Sequence, residues 1–343
     1  MKNNHRICVF GGTGIVGMAA CKTLIELGYL LRIGVRNVAK AEKEFSYAGK
    51  NVQLFKIDMD NENHIKEFCS AAELVVGAAG PSTRYSEKML YGAVAAGIPY
   101  VDPGGMHLRG RDFPKGVFTT AVIGAGLFPG LAGWLLNCMI GVGNEKKQIE
   151  IVIGGKYNFS RAAASDYVEE AQDCTAGIPM ACVRNGKIVP AERRIPLDIP
   201  GELLKLSFLP YVTEEIQEIV KGKTAVNIDA YTAAPTKQFS IMKNLNHETG
   251  NLINHLVEQK VDEQKAIICI RERTHDKKVT FFLEGDNPGI LTGKILAISA
   301  NAVMHLPRKT GIFPMARYLA KYPLLDELGK IEKLNIKRNK NYE

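Results

Sequence analysis

The chain is 343 residues long, with 46% apolar residues, 23% charged residues and a formal net charge of +8. This composition is typical of a globular protein, and the length allows one large or two ordinary domains. No run of about 18 apolar residues occurs, so the sequence does not predict a membrane-spanning helix.

The charge balance and the cysteines limit the partners that we expect. The basic excess is mild, and no basic stripe with interleaved aromatic residues accompanies it, so we expect neither nucleic acid nor membrane as a partner. The seven cysteines are scattered without a C-x-x-C pair, which is typical of reduced thiols and offers no metal site. The first residues lead directly into an apolar segment and leave no room for a signal peptide, so we expect a cytoplasmic protein.

The first elements predict a dinucleotide-binding turn. Ile7 to Phe10 has the composition of a buried parallel strand, and apolar residues recur at helical spacing from Ile15 to Leu27. Between them lies Gly-x-Gly-x-x-Gly, whose glycines let a pyrophosphate approach backbone amides at a helix N-terminus. An ordinary glycine-rich turn is the alternative. We predict that the cofactor contacts residues Gly11, Gly12, Thr13, Gly14, Ile15, Val16 and Gly17.

The end of the second predicted strand, 29–35, bears on the choice of cofactor. NAD-binding units usually place a carboxylate there, on the ribose hydroxyls, but this chain has Arg36, followed by Lys40. A carboxylate would repel a 2′-phosphate, whereas Arg36, with Lys40, can pair with it. The sequence therefore predicts NADP(H). In the alternative, Arg36 is solvated at a strand end.

Strands and helices continue to alternate as far as Ile140. This alternation predicts an α/β fold with a doubly wound parallel sheet, a Rossmann domain over residues 1–145. At the carboxyl ends of its strands we expect Asp58 to border the adenine. We also expect a small-residue segment to run beside the cofactor, formed by Ala79, Gly80 and Pro81.

The pattern changes after residue 145. Strands are predicted at 147–157, 224–232, 265–273 and 278–284, with a hairpin around Asn185-Gly186 and helices at 160–173 and 235–260. They predict a second, α+β domain, residues 146–288, built on a mainly antiparallel sheet with helices on one face. Its uncovered face is the expected surface of a homodimer. Helices at 289–305 and 311–328 are expected to return residues 289–343 to the Rossmann domain.

Four segments of the sequence resemble the saccharopine dehydrogenase-like oxidoreductases. They are residues 11–17, 75–81, 95–102 and 126–131, and Ala-Ala-Gly-Pro followed by Ala-Gly-x-x-Tyr-x-Asp is the most specific combination. The resemblance covers mainly the first 145 residues. It implies an NADP(H)-linked Rossmann domain, a second domain that closes over the substrate, and hydride transfer at a C=N bond or an activated C=C bond. Many relatives continue with Gly-Glu where this chain has Pro103-Gly104.

Reduction of an imine also requires a proton donor. The candidates are Asp102, His107 and Tyr85, and each has a structural alternative: capping of a turn, a solvated loop and packing at a helix entry, respectively. We expect Tyr100 and Asp102 to lie on opposite faces of their strand. None of the twelve tyrosines has a lysine four residues on, which weighs against a short-chain dehydrogenase mechanism.

Substrate contacts from the second domain are predicted at one strand-to-helix turn, from Lys156, Tyr157 and Arg161, with a solvated turn as the alternative. The expected function is an NADPH-dependent reductase acting on a medium-sized metabolite or a carrier-bound intermediate. The alternative is a redox sensor or partner-binding protein that holds NADP(H) without turning it over.

Overall fold

The chain forms two compact units, each built on its own β-sheet. The computed structural model describes residues 5–141, 145–173, 177–192, 205–242, 248–273, 277–332 and 335–342. The first unit combines Met1–Leu131 with Gly289–Glu332, and the second combines Ala132–Pro288 with Lys333–Glu343. The domain limits expected from the sequence, 1–145, 146–288 and 289–343, stay a proposal beside this division.

The strands and helices have the following bounds. The strands are β1 (Arg6–Phe10), β2 (Leu30–Val35), β3 (Val52–Lys56), β4 (Leu74–Gly77), β5 (Tyr100–Val101), β6 (Thr120–Ile123), β7 (Lys147–Lys156), β8 (Gly177–Pro179), β9 (Ala181–Arg184), β10 (Lys187–Pro190), β11 (Ser207–Thr213), β12 (Val226–Ala234), β13 (Lys265–Arg273), β14 (Lys277–Gly285), β15 (Gly311–Pro314) and β16 (Asn335–Tyr342). The helices are α1 (Ile15–Glu26), α2 (Val38–Glu44), α3 (Glu62–Cys69), α4 (Ser82–Ala95), α5 (Leu131–Ile140), α6 (Arg161–Gln172), α7 (Glu214–Val220), α8 (Thr236–Met242), α9 (Thr249–Glu258), α10 (Pro288–His305), α11 (Met315–Tyr318) and α12 (Leu324–Ile331).

The sheet of the first unit is parallel throughout. Its strand order is β15-β6-β5-β4-β1-β2-β3. Because the order reverses between β1 and β4, successive crossovers cover both faces of the sheet. This topology confirms the predicted doubly wound Rossmann sheet. It also brings the loops that follow β1 to β6 together at one edge of the sheet.

The centre of this sheet is fully buried, which explains its continuous apolar sequence. Residues Ile7 to Phe10 of β1 have no exposed surface. Arg32 of β2 is also buried, and its guanidinium group donates to the carbonyl oxygens of Glu67 at 2.9 Å and Phe68 at 3.1 Å. These carbonyls belong to the last turn of α3, where a cation is favoured by the helix dipole. Arg32 therefore ties β2 to α3.

The C-terminal part of the first unit differs from the sequence-based prediction. A single helix over 311–328 was wrong, because β15 pairs in parallel with β6, from Gly311 beside Thr120 to Pro314 beside Ile123. Two short helices, α11 and α12, follow, and each begins directly after a proline. Proline cannot donate a backbone hydrogen bond, so Pro314 and Pro323 interrupt what apolar periodicity alone presents as one helix.

The sheet of the second unit is mixed. Its main path is β10-β9-β12-β7-β13-β14-β16, and β11 pairs with β12 and β8. Among the described strands of this second sheet, only β7 and β12 pair in parallel, so the predicted mainly antiparallel sheet is confirmed. The hairpin around Asn185-Gly186 forms as predicted, with Arg184 opposite Lys187. Ser160 caps α6, since its hydroxyl oxygen accepts from the amide of Ala163 at 3.2 Å.

Other parts of the second unit were not predicted correctly. The helix expected over 235–260 consists of α8 and α9, with 243–247 outside the described residues. Residues 177–179, expected to end a helix, form β8, and β11 and α7 were not predicted at all. The last strand, β16, pairs with β14, whereas the sequence placed 289–343 with the Rossmann domain. No described helix is long and apolar enough to cross a membrane.

Candidate functional site

The turn between β1 and α1 closes on itself so tightly that two of its glycines have no room for a side chain. Gly11 has a φ of +70°, and a Cβ there would lie 2.5 Å from the carbonyl oxygen of Ala78. A Cβ at Gly17 would lie 2.2 Å from the carbonyl oxygen of Gly11. The glycines therefore let this loop, the segment after β4 and the start of α1 meet at backbone distance.

Gly14 occupies a different environment in the same turn. A Cβ there would meet only the carbonyl oxygen of Gly11, at 3.4 Å. Gly14 is the N-cap of α1, and no side chain caps this helix. Thr13, Gly14 and Ile15 are exposed. The amides of the first helical turn have no partner within the helix, so the loop is open where an anion can be bound.

The end of β2 presents an unpaired cation. Arg36 is exposed, and its side chain makes no ion pair or hydrogen bond with the described residues. Asn37 begins α2, since its side-chain oxygen accepts from the amide of Lys40 at 3.0 Å. The ammonium group of Lys40 lies 3.7 Å from Glu44 Oε1. Of the two cations predicted to bind a phosphate, Arg36 is therefore available, whereas Lys40 already has a carboxylate partner.

A pocket that the sequence did not predict adjoins the glycine turn. Its volume is about 550 Å³, and its lining residues are Thr13, Gly14, Ile15, Met18, Lys22, Glu44 and Tyr47. Within the part of the chain that the structure describes, the buried Oε2 atom of Glu44 has no hydrogen-bond partner. Lys22 of α1 and Glu44 of α2 line the same pocket although they are distant in the sequence, so spacing along the sequence gives no signal of it.

Two further predicted cofactor segments lie at this edge of the sheet. Asp58 follows β3, is exposed, and accepts from the amide of Asp60 at 3.0 Å, which closes a tight turn. The segment Ala79–Gly80–Pro81 follows β4 and contains a cis peptide bond before Pro81. The amide nitrogen of Ala79 would lie 2.6 Å from a Cβ at Gly11. The structure thus brings this segment against the glycine turn, and its position beside the cofactor stays a prediction.

Asp102 is buried at the end of β5 and its carboxylate is occupied. It is 2% exposed, accepts a short hydrogen bond from the Tyr100 hydroxyl, and accepts from the amide of Gly104 at 2.6 Å. Burial, and next to it the charge of Asp102, raise the pKa of Tyr100 well above its usual range, so the phenol keeps its proton.

The expectation that Tyr100 and Asp102 lie on opposite faces was wrong. Residues two apart on a strand point to the same face, and these two side chains contact each other. The observed contacts of Asp102 are those of the alternative reading, in which it caps the turn that follows β5.

The other two candidate proton donors lie nearby in the fold. Tyr85 is half-buried in α4 and packs against the core of the first unit, and the cationic groups of Arg84 and Lys88 lie 5.1 and 5.8 Å from its ring centroid. His107 lies on the short 3-10 segment Met106–Leu108 that follows the turn after β5, and it is partly exposed. His107 is therefore carried by a loop at the carboxyl edge of the sheet, whereas Tyr85 is part of a helix.

The three predicted substrate contacts lie in the second unit. The ammonium group of Lys156 lies 3.6 Å from Glu263, and the guanidinium group of Arg161 donates to the side chain of Asn254 at 2.9 Å. Burial raises the pKa of Tyr157, whose ring centroid lies 5.5 Å from that of Phe159. Each of the three residues therefore has a partner within its own unit. Among the described residues, no group of three His, Cys, Asp or Glu could hold a metal ion.

Comparisons with known proteins agree with this architecture. Residues 3–112 match the model of the NmrA-like family. The fold is similar to that of apo saccharopine dehydrogenase (L-Glu forming) from Saccharomyces cerevisiae, with a TM-score of 0.67, 10% identity, and coverage of 98% of this chain and 100% of that one. This confirms, at the level of the fold, the resemblance stated from the sequence.

Two further solved structures are similar over a shorter stretch. Gre2 in complex with NADPH from Candida albicans is 17% identical over 29% of this chain and 36% of that one, with a TM-score of 0.26. Nmra, a negative transcriptional regulator in complex with NAD, is 19% identical over 29% of this chain and 33% of that one, also with a TM-score of 0.26. No curated protein matches the sequence.

Proposed function

We propose that the protein is an NADP(H)-dependent oxidoreductase that transfers hydride to a C=N bond, or to an activated C=C bond, of a medium-sized metabolite or a carrier-bound intermediate. One observation carries the proposal. The N-terminus of α1 has no side-chain cap, is exposed at Gly14, and lies in a turn whose other glycines leave no room for a Cβ. This turn is at the carboxyl edge of a parallel sheet, in a fold similar to that of saccharopine dehydrogenase.

The residues of this edge fit a nicotinamide dinucleotide. Residues Gly11 to Gly17 would hold the pyrophosphate, Arg36 the 2′-phosphate, Asp58 would border the adenosine, and Ala79 to Pro81 would lie beside the cofactor. The bound nicotinamide would supply or accept the hydride, and the protein would supply position and charge. Lys40 would add its charge only if it left Glu44.

We propose His107 as the proton donor. The loop that carries His107 lies at the edge of the sheet where the cofactor would bind, and an imidazole side chain can act as a general acid there. The buried carboxylate of Asp102 and the packed ring of Tyr85 are engaged in other contacts. In the second unit, Lys156, Tyr157 and Arg161 stay the proposed substrate contacts, and a homodimer stays the proposed assembly.

The burial of Asp102 favours a second candidate function, without catalysis. Asp102 is a predicted proton donor, but its side chain is only 2% exposed. A protein that binds NADP(H) without a usable proton donor would act as a redox sensor or a partner-binding protein. Both functions require the same cofactor site, so they differ only in turnover.

The distinguishing experiment is NADPH consumption by the intact protein with two classes of probe, a cyclic imine such as 1-pyrroline and an enoyl thioester such as crotonyl-CoA. The oxidoreductase proposal predicts consumption with one class, lost in Gly14→Asp and reduced at neutral pH in His107→Gln. NADPH binding without consumption across the imine and enoyl series would instead support the sensor.

A further inference from the structure

Two loops at the carboxyl edge of the first sheet are joined by main-chain hydrogen bonds. The first loop follows β5 and comprises residues 103–105, and the second follows β6 and comprises residues 124–130. The amide of Gly124 donates to the carbonyl oxygen of Gly104 at 2.8 Å, and that of Ala125 donates to the carbonyl oxygen of Asp102 at 2.8 Å. The two loops therefore cannot move independently while these bonds persist.

Asp102 contributes to the junction between these two loops with both its main chain and its side chain. Its amide donates to the carbonyl oxygen of Val122 at 2.9 Å, which aligns β5 with β6. Its carboxylate accepts from the amide of Gly104 and from the Tyr100 hydroxyl. Gly105 follows with a φ of +73°, and a Cβ there would lie 3.4 Å from Asp102 Oδ2. The first loop is thus wrapped around one buried carboxylate.

The same junction extends to the C-terminal helix α10. A Cβ at Gly126 would lie 3.1 Å from the methyl group of Thr292 and 3.4 Å from the carbonyl oxygen of Pro103. The hydroxyl oxygen of Thr292 accepts from the amide of Leu127 at 3.3 Å. The second loop is therefore held between α10 and the first loop, and Asp102 is the one buried carboxylate at this contact among the described residues.

We propose that Asp102 is a positioning residue: its carboxylate, oriented by Tyr100, fixes both loops so that they form the floor of the nicotinamide half of the cofactor site. The proposal rests on the proposed function, since it assumes that NADP(H) binds at this edge. It assigns no proton transfer to Asp102. Removing the second acceptor oxygen should loosen both loops together, including residues 124–125, which main-chain hydrogen bonds join to Asp102 and Gly104.

Ser86 provides a matched control. Its hydroxyl group is buried in the same place and has no hydrogen-bond partner among the described residues, and a Cβ at Gly105 would lie 3.5 Å from the Ser86 Cβ. Ser86→Ala therefore removes a polar atom from this site without breaking the contacts of Asp102. Tyr100→Phe is the second test variant, because it keeps the Gly104 contact and removes the hydroxyl that orients the carboxylate, together with its 3.3 Å hydrogen bond to the carbonyl oxygen of Ser86.

The experiment measures hydrogen exchange of the amides of Gly104, Gly124 and Ala125 and the Kd for NADPH, on the full chain. In Asp102→Asn we expect all three amides to exchange about tenfold faster and the Kd for NADPH to rise about tenfold, the size expected for one lost buried hydrogen bond. In Tyr100→Phe we expect smaller changes in the same direction. In Ser86→Ala we expect none.

Unchanged exchange in both Asp102→Asn and Tyr100→Phe would overturn the proposal, and so would faster exchange with an unchanged Kd. If Asp102→Asn does not fold, the exchange rates and the Kd for NADPH measured on Tyr100→Phe test the proposal. Failure of the proposed function has a different signature: the unmodified protein would not bind NADPH at all, while the exchange measurement would still report whether Asp102 holds the loops.

Discussion

Gly14 and Gly17 belong to the same turn, but the structure predicts different consequences when each is replaced by alanine. At Gly17 a Cβ would lie 2.2 Å from the carbonyl oxygen of Gly11, so Gly17→Ala must displace the backbone and should destabilise the fold by about 2 kcal/mol. At Gly14 a Cβ has room, so Gly14→Ala should change stability by less than about 1 kcal/mol. Its methyl group would enter the phosphate space and should weaken NADPH binding about tenfold.

Thermal melting and NADPH titration of both variants check this pair of predictions. Equal melting temperatures for the two variants would contradict the distinction that the distances make. Undiminished NADPH binding in Gly14→Ala would show that the phosphate does not occupy this end of α1.

Arg36 and Lys40 offer a matched pair for cofactor selectivity. Arg36 has no partner among the described residues, whereas Lys40 lies 3.7 Å from Glu44. We predict that Arg36→Ala weakens NADPH binding about tenfold and leaves NADH binding unchanged, and that Lys40→Ala has the smaller effect. Competition titrations with the two nucleotides measure this. Equal loss of NADPH and NADH in Arg36→Ala would remove the assigned role of Arg36.

Glu170 predicts a pH dependence of stability in the second unit. Burial, together with Asp166, Glu214 and Glu169, raises its pKa to about 7. The folded state therefore holds the Glu170 proton more tightly than the unfolded state. Its contribution to stability is fully present below the unfolded pKa and is lost as the pH rises to about 7, by no more than about 3 kcal/mol.

We therefore predict that Glu170→Gln stabilises the protein above pH 7 and has little effect at pH 4.5, as followed by thermal melting across this range. Glu258→Gln, at an exposed position in α9, is the control and should show no such trend. A pH-independent difference between Glu170→Gln and the unmodified protein would contradict the account.

At the residue scale, the sequence predicted those features that depend only on residues a few positions apart. The glycine turn, the Ser160 cap and the Asn185-Gly186 hairpin are local, so their residue types determine their geometry. Two features of the candidate site escaped prediction. The contact between Tyr100 and Asp102 was not predicted, although residues two apart on a strand lie on the same face. The Glu44 carboxylate beside the turn was missed because Glu44 is distant from the glycine turn in the sequence and lines the pocket only in the folded chain.

At the scale of elements, α10 approaches α1 at backbone distance, with a glycine at the contact. A Cβ at Gly293 would lie 2.3 Å from the carbonyl oxygen of Val16 and 2.6 Å from the Cβ of Ala19. Gly293→Ala must therefore separate the two helices, and we predict a loss of about 1–3 kcal/mol together with weaker NADPH binding, because α1 carries the phosphate turn.

Gly329→Ala in α12 is the control for that measurement. A Cβ at Gly329 meets nothing within 4 Å, so the substitution should stabilise the helix by up to about 1 kcal/mol. Denaturant unfolding of both variants gives the two free energies of unfolding. A change of the same sign in both variants would show that helix propensity, and not the distance between α10 and α1, controls the outcome.

Helices and strands that depend on local sequence patterns were predicted better than strands that depend on pairing with distant segments. Strands β1 to β4 and helix α1 were predicted to within a few residues because their apolar patterns are strong and continuous. The strands β15 and β16 were missed. They are short or polar, and each becomes a strand only by pairing with a partner far away in the sequence, β6 and β14 respectively.

At the scale of the whole molecule, each of the two units is built from segments that are not contiguous in the sequence. Residues Gly289–Glu332 belong to the first unit, whereas Lys333–Glu343 belong to the second. A basic, polar tail carries no periodic signal of this kind, so only the partner strand β14 determines its place. The fold class was nevertheless predictable, because the alternation of strands and helices in the first third of the chain is local and regular.

The measurement that tests the account most directly is a fluorescence titration of the protein with NADPH and NADH, beside Gly14→Asp. The aspartate would place a negative charge at the uncapped N-terminus of α1, where the pyrophosphate is proposed to lie. We predict saturable NADPH binding, tighter than that of NADH, which is lost in the variant while its melting temperature is preserved. Folded protein that binds neither nucleotide, or a variant that binds NADPH as well as the unmodified chain, would contradict the cofactor site and with it the proposed function.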